Sequence, residues 1–203
     1  MKKLIVASNN KKKIEEIKSV LNEVDLEVRS LKEEGIDIDV VEDGLTFEAN
    51  SRKKAVEIKE YLLKSGKNDF IVLADDSGLE VDYLNGEPGV FSARYSGTHG
   101  DDDANNKKLL EKLKNVKWED RKAKFVCVIT LVNDLGKEIA VRGEVEGIIT
   151  EKESGKAGFG YDPLFFIEEY NKTFSEMTGE EKNKISHRGK ALEKIKSEID
   201  KLI

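Results

Sequence analysis

Two adjacent carboxylates, Asp75 and Asp76, follow the apolar run Phe70-Ile71-Val72-Leu73 and precede Ser77-Gly78. The run reads as a short buried strand, and Ser77-Gly78 as the tight turn that ends it. Carboxylates at the end of a buried strand are costly unless a cation or a set of donors pairs with them. Strand ends are also where α/β sheets place ligand chemistry. A hard divalent cation such as Mg²⁺ takes carboxylate oxygens and shares its other positions with water and substrate phosphate. A turn-forming Asp pair is the plain alternative, so the rest of the chain decides.

Four further groups bear on that choice. Ser8-Asn9-Asn10-Lys11-Lys12-Lys13 comes after a first strand and opens a helix. Helix N-terminal amides bind anions, and the lysines can reach a bound phosphate, although the P-loop spacing is absent. Glu42 precedes a helix on which Asn50 and Lys54, four apart, share a face. In Gly158-Phe159-Gly160-Tyr161-Asp162-Pro163 an aromatic held between glycines can lie against a planar base, and Asp162 can accept from a ring N–H. Lys182 and Ser186-His187-Arg188 bring donors to a helix start, suited to carbonyl or phosphate oxygen. Taken singly, each has an ordinary reading as a cap, a solvated helix face, a Gly/Pro turn or a helix end.

These groups must be held by an α/β framework. Leu4 to Ala7 predicts a strand, and Ile14, Ile17, Val20 and Leu21 recur at helical spacing with Ser8 as the simplest N-cap. Leu26 to Val28 resembles a second strand, with a polar loop after it from Lys32 to Gly44. Thr46 caps a helix to about Leu63. Leu79 to Leu84 ends at Asn85-Gly86, a hairpin signal, and Asp101 caps a helix to about Lys114. Lys124 to Val132, Lys137 to Arg142, Val145 to Thr150 and Leu164 to Ile167 read as strands, and Thr178 with Glu181 as a capping box. A last helix runs from about Ser186 to Leu202. The order β-α-β-α-β, then hairpins, then helices predicts an α/β protein with a mixed sheet.

Composition narrows the classes. The 203 residues suit one domain or one domain with two lobes. A net charge of −6 argues against nonspecific nucleic-acid binding. The one cysteine, Cys127, lies in an apolar run and reads as core; with two histidines a standard structural zinc site is not expected. The apolar residues after Met1-Lys2-Lys3 are too few for a signal peptide, and no stretch approaches the roughly 20 apolar residues of a membrane span. The chain reads as cytoplasmic.

The ordered set Ser8-Asn9-Asn10-x-x-Lys13, Asp75-Asp76-Ser77-Gly78-Leu79, Pro88-Gly89-Val90-Phe91-Ser92-Ala93-Arg94-Tyr95, Gly158 to Pro163 and Ser186-His187-Arg188 resembles the inosine triphosphate pyrophosphatase family. The motifs run from Val6 to Leu192 in the family's order. The resemblance implies a single domain over residues 1–203, with an elongated mixed β-sheet flanked by helices and two lobes with a substrate cleft between them. It implies Mg²⁺-dependent hydrolysis of non-canonical purine nucleoside triphosphates (ITP, dITP, XTP) to monophosphate and pyrophosphate, and a homodimer. By position it casts Asp76 as catalytic proton acceptor and metal ligand, Glu42 as metal ligand, and Ser77 as a substrate contact. Ser8, Asn9, Asn10, Lys11, Lys12, Lys13 and Lys54 match the triphosphate group. Phe159, Gly160, Tyr161, Asp162, Lys182, His187 and Arg188 match the nucleoside group. The family's usual T-G-N-x-x-K stands here with Ser8 for Thr and Asn9 for Gly. A noncatalytic nucleotide-binding protein and a broad nucleotide phosphatase on the same fold are the alternatives.

Overall fold

The computed structural model describes Lys2–Ile203. Its elements are β1 (Lys3–Val6), α1 (Lys11–Val20), β2 (Glu27–Ser30), α2 (Phe47–Lys64), β3 (Phe70–Val81), α3 (Asp102–Lys112), β4 (Lys122–Asn133), β5 (Glu138–Ile149), β6 (Phe165–Ile167), β7 (Lys172–Thr173), α4 (Gly179–Ile185) and α5 (His187–Glu198). The strands form a sheet in the order β2-β1-β3-β4-β5-β6-β7. β1 runs parallel to both neighbours, with Leu4 opposite Val28 and Ile71. β6 is antiparallel to β5 and to β7. The sheet is therefore mixed, as the order of elements predicts.

The chain divides into two compact units. One comprises the chain up to Asp76 with Cys127–Gly143 and Arg188–Ile203; the other comprises Ser77–Val126 and Glu144–His187. The first unit has apolar side chains on both faces of its strands, as parallel strands covered on both sides require. Leu4, Val6, Ile71 and Leu73 pack with Ile17 of α1 and Leu192 and Ile195 of α5. Ile5, Phe70, Val72 and Ala74 pack with Ala55, Ile58 and Leu62 of α2. Cys127 is a fully buried member of the α1/α5 side. In the second unit Leu79, Val81, Leu109, Phe125, Phe165 and Phe174 form one core.

Four expectations change. Ser77-Gly78 does not end the strand: β3 is 12 residues long and runs straight through the Asp pair. Asn10, not Ser8, caps α1, accepting the Lys13 N–H at 3.2 Å, while Ser8 Oγ accepts from Asn10 N–H. The expected strands 137–142 and 145–150 are one strand, β5. Asn85 and Gly86 do take the left-handed turn, at φ 52° and 89°, but the chain beyond Gly86 meets β3 at the isolated bridge Glu80–Pro88 and not as a paired strand.

Candidate active site

Strand alternation sends neighbouring side chains to opposite faces. Asp75 continues the Ile71–Leu73 series toward α1 and α5, and Asp76 continues the Phe70–Val72–Ala74 series toward α2. Each carboxylate thus meets a different set of partners, and both are buried.

Asp75 Oδ2 accepts from Lys13 Nζ of α1 and from Arg188 Nη2 of α5, each at 3.1 Å. Arg188 Nη1 also donates to Glu16 Oε2 at 2.5 Å, and Arg188 is 2% exposed. Burial alone would push the Asp75 carboxyl up, but Lys13, Arg188 and Lys54 outweigh it and hold it well below the usual carboxylate range. Burial likewise opposes the Arg188 charge, and Asp75 and Glu16 reverse that effect. Asp75 is therefore held as an anion by the cations around it.

Asp76 is the opposite case. Burial, joined by repulsion from Glu42, pushes its carboxyl up to about 6, against the opposing pull of its Asn50 hydrogen bond and of Lys13 and Lys54. Asn50 Nδ2 donates to Asp76 Oδ2 at 2.9 Å, and its Oδ1 accepts the Gly44 N–H at 2.7 Å. Asn50 thereby ties the loop that carries Glu42 to the catalytic candidate. A Cβ at Gly44 would stand 2.6 Å from Asn50 Oδ1, so that approach requires glycine. Lys54, one turn along α2, pairs with Glu42 and donates to the Asp75 carbonyl at 2.9 Å. Burial opposes its charge, but Asp75 and Glu42 keep it protonated. A carboxyl poised near neutrality beside lysines can accept a proton while the lysines neutralise phosphate oxygens.

The remaining residues of the expected phosphate group lie at the start of α1. Asn9, Asn10, Lys11 and Lys12 are exposed, and Ser8 and Lys13 are half-buried. Ser77 is half-buried on β3.

The second unit assembles most of the expected nucleoside group. Asp162 Oδ2 accepts from Lys182 Nζ at 2.8 Å and from the Phe159 N–H at 2.9 Å. Lys182 Nζ lies 4.9 Å from the Phe159 ring centroid, a cation–π contact. His187 stacks on Phe125, with centroids 4.7 Å apart and planes 14° apart. Tyr161 is a core residue whose hydroxyl donates to the Ser92 carbonyl at 2.9 Å. Arg188, expected beside His187 as a reader of the base, belongs to the first unit, where its guanidinium lies on Asp75 and Glu16. One residue along α5 turns the side chain by about 100° on a 3.6-residue helix. Glu16 and the bridging role of Asn50 are not evident from sequence; for Asn50 the available signal is its i, i+4 spacing from Lys54.

Each unit carries one group that suits a nucleotide-handling enzyme: the first a buried carboxyl raised to about 6 among lysines, the second an aromatic–acid–lysine group. The chain belongs to the Ham1 family, whose model matches residues 4–198. It is 63% identical to a protein of Clostridium perfringens named dITP/XTP pyrophosphatase, over 98% of each chain. A protein of the same name from Clostridium tetani is 53% identical over 100% of this chain and 98% of its own. The solved structure of the Staphylococcus aureus Ham1 protein matches with a TM-score of 0.83 at 40% identity, covering 98% of this chain and 99% of that one. The resemblance read from the ordered motifs holds at the level of family and fold.

Proposed function

We propose that this chain is a nucleoside-triphosphate pyrophosphatase that hydrolyses the non-canonical purine nucleotides dITP, ITP and XTP to the monophosphate and pyrophosphate. Near-full-length identity of 63% to a protein named for dITP and XTP supports the substrate class. The observation that carries the chemistry is Asp76, a buried carboxyl raised to about 6 while its neighbour Asp75 stays ionised. Pairs of acids driven apart in this way assign their roles.

Water would attack the α-phosphorus. Its oxygen bonds to phosphorus, the α–β anhydride bond breaks, pyrophosphate leaves, and the water proton passes to Asp76. Asn50 orients the Asp76 carboxylate through the 2.9 Å bond. Lys13 and Lys54 offset phosphate charge, and Asp75 with Arg188 holds Lys13 in place. Positioning and charge neutralisation are most of what phosphoryl chemistry asks of a protein.

Glu42 and Asp76 fit a hard divalent cation such as Mg²⁺. Both offer oxygen, and their mutual repulsion, part of what raises Asp76, is what a cation relieves. The Lys54 ammonium on Glu42 stands where positive charge is favoured. Among the described residues no three such side chains come together, so water and phosphate would complete the ligands. When bound, Mg²⁺ would neutralise phosphate and make a bound water more acidic.

In the second unit Phe159 offers a stacking face, and Lys182 and His187 offer donors. Donors favour the 6-oxo group of hypoxanthine or xanthine and leave the adenine amino group badly paired. We take the active form to be a cytoplasmic homodimer, as the family resemblance implies. Among the described residues no helix is long and apolar enough to cross a membrane.

A panel of dITP, ITP, XTP, GTP, ATP and CTP, each with and without Mg²⁺, tests the reading. Turnover confined to the first three and dependent on the metal is expected. Equal turnover of ATP would overturn the substrate class.

A further inference from the structure

We propose that Asp102 and Asn106 of α3 govern base selectivity by clamping the peptide groups that orient Phe159, which sets where a base stacked on that ring stands relative to the Lys182 and His187 donors. The inference rests on the reading of Phe159 as the stacking face. Asp102 and Asn106 are four apart and so share one face of α3. Asp102 Oδ2 accepts the Gly160 N–H at 2.7 Å, and Asn106 Nδ2 donates to the Gly160 carbonyl at 3.1 Å. On the other side of the ring-bearing residue, Asp162 Oδ2 accepts the Phe159 N–H at 2.9 Å.

A residue has only two soft backbone dihedrals, set by the planes of the peptides on either side. The Asp162 bond pins the plane before Phe159, and the Asp102 bond pins the plane after it. The Asn106 bond pins the plane beyond that. Without these anchors the segment would be permissive, because Gly158 and Gly160 flank the phenylalanine at φ +80° and +61°. Asp102 is available for this because the capping role belongs to Asp101, which accepts the Ala104 N–H. The Asn106 amide has one sensible orientation, since the Gly160 carbonyl can only accept. Asn106 is buried, at 2% exposure, so no bulk water competes for this bond.

Asp102→Ala and Asn106→Ala remove one anchor each, and Asp102→Asn keeps an acceptor oxygen. The readouts are kcat/KM for ITP and ATP, and calorimetric binding of inosine monophosphate and of inorganic pyrophosphate. The preference for ITP over ATP should fall roughly tenfold in each alanine variant, the size of one well-made hydrogen bond. Inosine monophosphate should bind correspondingly weaker, pyrophosphate should bind as in the wild type, and Asp102→Asn should recover most of the preference. An unchanged ITP:ATP ratio in both alanine variants would overturn the inference, as would equal losses for ITP, ATP and pyrophosphate. Half-buried Asp102 supplies the informative variant if Asn106→Ala fails to fold. A wild-type protein inert toward ITP would overturn the functional reading instead. Inosine monophosphate binding then reads the clamp directly, and equal affinities in wild type and variants would sink it.

Discussion

Asp75 and Asp76 are consecutive on β3, yet their carboxyls are driven in opposite directions, Asp75 below the usual range and Asp76 up to about 6. The pleat causes the split. One side chain reaches Lys13 and Arg188, the other Asn50 and the field of Glu42.

Asp76→Asn should lose about 10²- to 10⁴-fold in turnover, the usual contribution of a positioned base, while the protein still folds. Its effect on stability has a definite sign. A carboxyl whose folded pKa is raised stabilises the protein below its unfolded pKa, and that contribution is lost as pH rises through the folded value, here about 6. In metal-free protein at pH 8 the Asn variant should therefore be more stable than the wild type, by about 2–3 kcal/mol. Urea unfolding at pH 4 and pH 8 checks this; a difference that does not grow with pH contradicts the raised pKa.

Asp75 has the reverse sign. Its depressed carboxyl contributes stability above the unfolded value near 4, and that contribution is lost as pH falls toward the folded one. Thermal melts from pH 5 to pH 2 should show a drop that Asp75→Asn flattens. Arg188→Ala, which leaves a buried carboxylate with one partner fewer, should cost about 3–5 kcal/mol. Its turnover should fall alike for every nucleotide, because the guanidinium lies on Asp75 and Glu16. A selective loss for ITP would restore Arg188 as a reader of the base.

Local signals are legible in the sequence. Thr46 caps α2, Asp101 caps α3, and Thr178 with Glu181 makes a capping box, all within four residues of chain. The course of β3 is not legible, because Asp75 finds its partners 62 and 113 residues away. Without them an Asp-Asp-Ser-Gly stretch belongs in a turn. The Gly160 clamp is hidden for the same reason, its anchors lying 58 and 54 residues distant. Asn10 displaces Ser8 as a cap by two residues, within the ordinary uncertainty of helix ends.

The two glycines around Phe159 should differ in tolerance. A Cβ at Gly158 would lie 2.1 Å from Asp162 Oδ2, whereas Gly160 has open space and only an unfavourable φ of +61°. Gly160→Ala should cost about 1–2 kcal/mol, and Gly158→Ala more, with loss of inosine monophosphate binding. Calorimetric melts and binding on both variants measure the order; equal costs would contradict the geometry.

Lys13→Ala should raise KM in the same proportion for ITP, XTP and ATP if, as proposed, Lys13 offsets phosphate charge. Steady-state kinetics on the three substrates checks it, and a loss confined to one base would place Lys13 elsewhere.

In the proposed reaction water attacks the α-phosphorus. Turnover of ITP in ¹⁸O-labelled water, read by mass spectrometry, shows which phosphorus takes the oxygen. One labelled oxygen in inosine monophosphate, with unlabelled pyrophosphate as the co-product, is the predicted result. Label in pyrophosphate, or orthophosphate with inosine diphosphate, would contradict it.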